Sequence, residues 1–307
     1  MKKHSLAVIA IALFSLTGYV GALSTTEGDC MSSTRRKATA TLIGTPLGLF
    51  PLAAQSIGSD GLAARLSKRD AAALKNSAFN IPPKEQKYPD FMRGEWEVES
   101  NFRGFLFPST TIPKSDITRK TDIPGFQKCS IAQVCDVGRE STKYLMKIDP
   151  NSGVENRIFN FAQVIDSNLG YKGVEEVLYD GASNSNRISI SFVKNRTRNA
   201  ERIELFCNAR ESELVPPADG RMSIFVCSEY VRQVTFSLST EFGVARQVIG
   251  NYAHFWTWRE QPDKNFLTGN LLTCAYLDPN DALFFQEPAK PVAVYSHDLK
   301  ASRVIKQ

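Results

Sequence analysis

Beyond Pro89, run after run of the chain places apolar side chains at every second position, and this limits the fold more than any other feature. Trp96, Val98 and Phe102 alternate with charged or polar neighbours, and Tyr144, Met146 and Ile148 do the same. Phe159 and Phe161 follow, then Ile188, Ile190 and Phe192, then Ile203, Leu205 and Cys207. Further strand-like runs cover 222–239, 244–259, 269–277, 281–287 and 290–297. A period of two places successive side chains on opposite faces of an extended strand. Turn signals divide the runs at Pro150-Asn151-Ser152-Gly153, Tyr179-Asp180-Gly181, Pro216 to Gly220 and Asp278-Pro279-Asn280. The pattern predicts about ten strands with no long helix between them. Short connections favour antiparallel pairing, so the expected class is mainly β, an antiparallel β-barrel. Upstream, Leu62, Leu66, Ala73 and Leu74 fall near a helical period, which predicts a short helix over 59–76 with Ser59 or Asp60 as its N-cap.

Strand-side arithmetic points to an interior. Within Asn251–Arg259, Tyr252, His254, Trp256 and Trp258 share one face, so four ring systems follow one another along a single strand. Along 224–238, the even face is apolar except at Ser228 and Arg232. A guanidinium on such a face needs a partner or a ligand. The expected ligand-binding set is therefore Arg232, Tyr252, His254, Trp256 and Trp258. The alternative is that the aromatic row is plain core.

The first 55 residues read as addresses rather than fold. Lys2 and Lys3 precede an apolar run from Leu6 to Val20 ending in Gly21 and Ala22, the form of a secretory signal peptide over 1–22. Arg35-Arg36 before a weakly apolar segment ending at Ala53-Ala54-Gln55 is the mark of a twin-arginine signal within 23–55. Residues 56–90 are then helix and linker, and 91–307 the β-barrel domain. Two export signals in series resemble the leaders of thylakoid-lumen proteins in algae with secondary plastids. That resemblance implies a plastid, thylakoid-lumen location, with secretion as the alternative. Glu27 and Asp29 depart from it, since transit segments are poor in acids.

The whole chain has 37 Lys and Arg against 32 Asp and Glu, and five basic and two acidic residues lie in the leader. The remainder carries a net charge of +2, which is no footprint for nucleic acid. No stretch of it reads as a transmembrane segment.

Gly94-Glu95-Trp96 opens the first strand as the Gly-x-Trp signature opens lipocalin-type barrels, which makes Gly94 and Trp96 signature residues. In lipocalins a basic residue packs on that Trp, and here Arg259 or Arg303 is placed to do so. A longer set of segments resembles an uncharacterised plastid and cyanobacterial family, domain of unknown function 6816. The set comprises NSAFNIPPKEQKYPDFMRGEW, FLFPSTTIP, NRIFNF, SEYVRQVTF and GNLLTCAYLDP, and the resemblance covers most of 76–305. It implies a plastid setting and no activity, while the Gly-x-Trp start implies a lipocalin-like β-barrel.

Catalytic and metal motifs are missing from the sequence. No Gly-rich phosphate loop follows a strand, and there is no His-Glu-x-x-His or Gly-x-Ser-x-Gly. Three histidines, of which His4 lies in the leader, make a multi-His metal site implausible. His254 reads as a core or pocket residue with one nitrogen hydrogen-bonded, and His297, near the C-terminus, as solvated. Cys129 and Cys135 close a small loop that an oxidising compartment would bond; Cys207, Cys227 and Cys274 read as buried thiols. Asn195-Arg196-Thr197 is a glycosylation sequon.

No catalytic residues, metal or cofactor are expected. The expected function is non-catalytic: binding a hydrophobic small molecule such as a pigment, quinone, lipid or fatty acid. One alternative is an assembly or interaction factor for a photosynthetic membrane complex, with a packed interior. Another is a barrel enzyme of isomerase or cyclase type.

Overall fold

The structure is a computed structural model that describes residues 61–76, 84–120, 141–197, 200–217, 222–239 and 245–305. The leader segments and the Cys129–Cys135 loop lie outside these residues. Nine strands form one sheet: β1 (Gly94–Leu106), β2 (Ser141–Ile148), β3 (Val174–Asp180), β4 (Ser185–Phe192), β5 (Arg202–Val215), β6 (Ile224–Ser239), β7 (Ala245–Glu260), β8 (Phe266–Tyr276) and β9 (Ala293–Arg303). Four helices accompany them: α1 (Leu62–Ser67), α2 (Lys114–Thr118), α3 (Arg157–Leu169) and α4 (Gly181–Asn184).

The strand order is β2-β1-β9-β8-β7-β6-β5-β4-β3, antiparallel throughout. The described residues form nine strands, beside an expectation of about ten. Phe159 and Phe161 lie in α3, residues 284–286 form a 3-10 turn, and β3 is a strand the alternation did not flag. The ladder is open, because β2 and β3 are not paired with each other.

Helix α3 stands between those two edges and packs against both. Asn156 starts it, its side chain accepting from Phe159 N, and Gly170 ends it in the left-handed region at φ 77°. Phe161, Ile165 and Leu169, spaced four apart, turn one face onto the core of Ile188, Ile190 and Val231. Its polar side chains serve the open edges. Asn160 Oδ1 accepts from Lys147 N at 2.8 Å, and Asn160 Nδ2 donates to Lys147 O at 3.1 Å. Ser167 Oγ donates to Lys143 O at 2.6 Å. At the other edge Asp166 accepts from the backbone N–H groups of Gly173 and Val174. Backbone groups on a sheet edge require partners, and here a helix supplies them. Nine strands laid flat would span about 38 Å, and a helix is about 10 Å across. Contact of α3 with both edges therefore requires the sheet to curl.

The first segment does not form one continuous helix. It breaks at Arg69, which sits at φ 53°, and Asp70 restarts it by accepting from Ala72 N to cap the 3-10 turn Ala71–Leu74. Gly61, not Ser59 or Asp60, occupies the N-cap of α1. This segment covers the outer face of the sheet. Leu62 and Leu74 pack on Val226, Tyr230, Phe255 and Tyr276, and Tyr276 OH donates to Leu74 O at 2.7 Å.

Trp96 is fully buried, and its Nε1 donates to Met92 O at 2.7 Å. Arg303, the strand partner of Trp96, lies over its ring at 4.2 Å and donates to Arg93 O at 2.8 Å. Of the two candidates, Arg303 is the residue that packs on Trp96; Arg259 instead donates to Asn270 Oδ1. Gly94 adopts φ 107°, and a Cβ on it would stand 2.7 Å from Arg303 Nη1. Gly94→Ala is thus expected to cost about 1–3 kcal/mol in backbone strain and to displace Arg303. A denaturant midpoint within error of wild type would contradict this.

Candidate functional site: an interior cavity with a buried charge network

The row on β7 builds the site. Tyr252, His254, Trp256 and Trp258 share the inner face, with ring centroids 5.0 Å apart from Tyr252 to His254 and 5.1 Å from His254 to Trp256. All four line a partly open cavity of about 110 Å³. Its walls come from two buried clusters. Ile165, Ile188, Leu205 and Val231 belong to the α3 side, and Tyr144, Met146 and Trp258 to the Trp96 side.

Arg232 does not line this cavity. The inner face of β6 is the odd one, Phe225, Cys227, Glu229 and Val231, while Val226 and Tyr230 pack outward beneath α1. Arg232 follows the outward phase and lies near Asp278, whose carboxyl is held low in part by that charge.

The cation at the cavity is Arg157, on the first turn of α3. Its Nη2 donates to both oxygens of Glu229, at 2.5 and 2.6 Å, and Arg210 Nε donates to Glu229 Oε1 at 2.7 Å. Burial alone would raise the Glu229 carboxyl, but the two guanidiniums outweigh it and hold the pKa at about 2. Glu155 completes the cluster. Its Oε1 stands 3.0 Å from Arg157 Nε but off the N–H direction, so that nitrogen makes no hydrogen bond. Burial, opposed by Arg157 and reinforced by Glu229, raises the Glu155 carboxyl. Two carboxyls face two guanidiniums, and the network carries no surplus charge when all four are ionised.

Three further groups face this space. His254 Nδ1 is 2.8 Å from Thr273 Oγ1, and burial pushes the imidazole down to about 4. Burial raises both Tyr88 and Tyr144 above the ordinary phenol range. Cys207 also lines the cavity, and burial pushes its thiol up to about 12, so it is an inert wall rather than a nucleophile.

His297 is not solvated. Its ring lies 5.3 Å from that of Phe102, and it is 5% exposed. Although near the C-terminus, β9 is hydrogen-bonded on both sides, to β1 and β8, which buries it. Asn195 of the sequon is exposed at φ 64°, and Thr197 is buried, its hydroxyl donating to Ala200 O.

The residues that sequence reasoning passed over are Arg157, Glu155, Glu229, Arg210, Tyr88 and Tyr144. One signal was available. Glu229 is the single acid in the odd face of β6, as exceptional there as Arg232 is on the even face. Choosing between the faces requires knowing which one β7 continues, and that is a matter of pairing: Glu229 sits opposite His254.

Among the described residues, no group of His, Cys, Asp or Glu is placed to hold a metal ion, and no helix is long and apolar enough to cross a membrane.

Fold and site together define a curled antiparallel β protein with an aromatic-walled internal cavity and an ion-pair network buried at its edge. The family profile described as "Domain of unknown function (DUF6816)" matches residues 81–305, and the chain belongs to that family. No curated protein and no solved structure matches significantly.

Proposed function

We propose that this is a non-catalytic, lipocalin-like binding protein whose curled sheet and α3 act together as a barrel around a hydrophobic small molecule. The observation that carries the proposal is the four-ring row on the wall of an internal cavity. A partly open, ring-lined space is the form that sites for apolar small molecules take. The twin-arginine pattern at Arg35-Arg36 supports a thylakoid-lumen setting for the same protein.

Trp256→Ala tests the reading. For a carrier, the variant stays folded, with a wider cavity that retains less of whatever small molecule co-purifies, as read by mass spectrometry of native protein. For a plugged interior, the same change costs about 3–5 kcal/mol, and the wild type carries nothing.

A second reading, an assembly factor with a self-filled interior, is favoured by cavity size. About 110 Å³ is smaller than the roughly 300–1,000 Å³ of sites for drug-sized ligands. Phe285 and Ile305, 82% and 73% exposed, are apolar groups available to a partner. Loss of partner capture in a Phe285→Ser, Ile305→Ser variant with an unchanged cavity would support this second reading over the first.

A further inference from the structure

If the cavity takes a guest, its polar groups restrict what that guest is, and the inference below rests on the binding reading. Among the described residues, Tyr88 and Tyr144, both half-buried, line the cavity, and no hydrogen bond engages their hydroxyls. Arg157 Nε, in a side chain 5% exposed, has none either. Most acceptors nearby are already used, Glu155 Oε1 being paired with Arg157 by charge but not by a hydrogen bond. Both oxygens of Glu229 accept from guanidinium groups, and the oxygens of Glu155 face Arg157 and the Asn160 amide. Arg157 Nε can only donate, and the two phenol hydroxyls can donate as well as accept, so an acceptor oxygen on the guest suits all three. A buried donor without an acceptor is costly, and a guest oxygen in that place removes the cost.

Charge narrows the class further. Arg157 and Arg210 are both engaged by Glu229, with Glu155 alongside, so an entering carboxylate meets two resident carboxyls and no surplus cation. A cationic guest is disfavoured by the same pair of guanidiniums. The volume of about 110 Å³ is of the order that holds one ring; a dry cavity of about 150 Å³ takes a benzene.

We propose that the cavity between β7 and α3 selects an uncharged, ring-bearing molecule that presents a carbonyl-type acceptor to Tyr144 and Tyr88, and rejects carboxylates, including fatty acids. The aromatic row on β7 forms the wall that stacks the ring. Tyr88 and Tyr144 hold its oxygen, and the balanced network at Glu155, Arg157, Glu229 and Arg210 keeps anions out.

The experiment compares acetophenone, benzoate and toluene on the intact wild-type chain and on Tyr144→Phe and Tyr88→Phe. Binding is read by tryptophan fluorescence, since Trp256 and Trp258 line the cavity, and thermal melts confirm folding of each variant. Acetophenone is expected to bind at least tenfold tighter than benzoate at pH 7. One or both Tyr→Phe changes should weaken acetophenone about tenfold and leave toluene unchanged. Benzoate binding as tightly as acetophenone, or acetophenone insensitive to both Tyr→Phe changes, overturns the assigned class but leaves the carrier reading standing. Binding of none of the three probes overturns both.

Discussion

Glu229→Gln is expected to be the most damaging single change in the protein, costing about 3–5 kcal/mol of stability. The carboxylate accepts three hydrogen bonds from Arg157 and Arg210, whose side chains are 5% and 4% exposed. An amide has nearly the same shape but no charge, so the variant leaves two buried guanidiniums with Glu155 as their one remaining counter-charge. For a β domain of this size, the loss corresponds to a fall in melting temperature of about 10 °C. Exchanging Glu155, Arg157, Arg210 and Glu229 together for apolar residues is expected to recover most of it, because a buried ion network as a whole is often close to neutral against packed hydrocarbon. A single variant that melts within a degree or two of wild type would show the network to be wetter than its geometry indicates.

The second large effect is acid lability centred on His254. Burial lowers the folded imidazole from 6.5 to about 4, so between those pH values the unfolded chain binds a proton that the folded chain does not. Stability from this group is fully present above about pH 6.5 and is lost as pH falls toward 4, amounting to about 3 kcal/mol. Glu229 adds a loss of the same sign below about pH 4.5, whereas the raised Glu155 carboxyl works in the opposite direction. Denaturant unfolding at pH 7 and pH 4, in wild type and His254→Gln, isolates the histidine. Wild type should lose about 3 kcal/mol more than the variant over that interval. Equal losses in both proteins would place the imidazole in contact with water.

Much of the sheet was legible because period two is a strong signal wherever one face is buried and the other is not. The ring row on β7 is an example: its four members lie on one face whatever the register. Helix α3 was not legible by that rule. Phe159 and Phe161 are two apart, as in a strand, yet it is Phe161, Ile165 and Leu169, four apart, that face the core. The capping residues Asn156 and Gly170 were the local sign of a helix. Missing α3 also hid the charge network, since Arg157 becomes an interior cation only once its helix is seated between β2 and β3. Strand β3 reads as polar, Val-Glu-Glu-Val-Leu-Tyr-Asp, because it is an edge with one solvated face. Arg232 was assigned inward for a different reason: both faces of β6 are apolar, one beneath α1 and one toward the cavity, so alternation carries no sign there.

The pairing of β1 with β9 sets the schedule on which this chain can be completed during synthesis. Arg103 and Asp298, joined across that ladder at 2.6 Å, are 195 residues apart. Closing so long a span is entropically slow, and it cannot begin until the last strand has left the ribosome. At about 5–20 residues per second, β1 waits about 10–40 s for its second neighbour, with β2 as its sole partner in the interval. All the strands from β3 to β8 find a neighbour in sequence order and close locally as they emerge. The strand bearing Trp96 therefore spends the longest time with a naked edge. That edge is 13 residues long and rich in glutamate, with Glu95, Glu97 and Glu99 in its first half, and like charges along it oppose pairing between nascent copies.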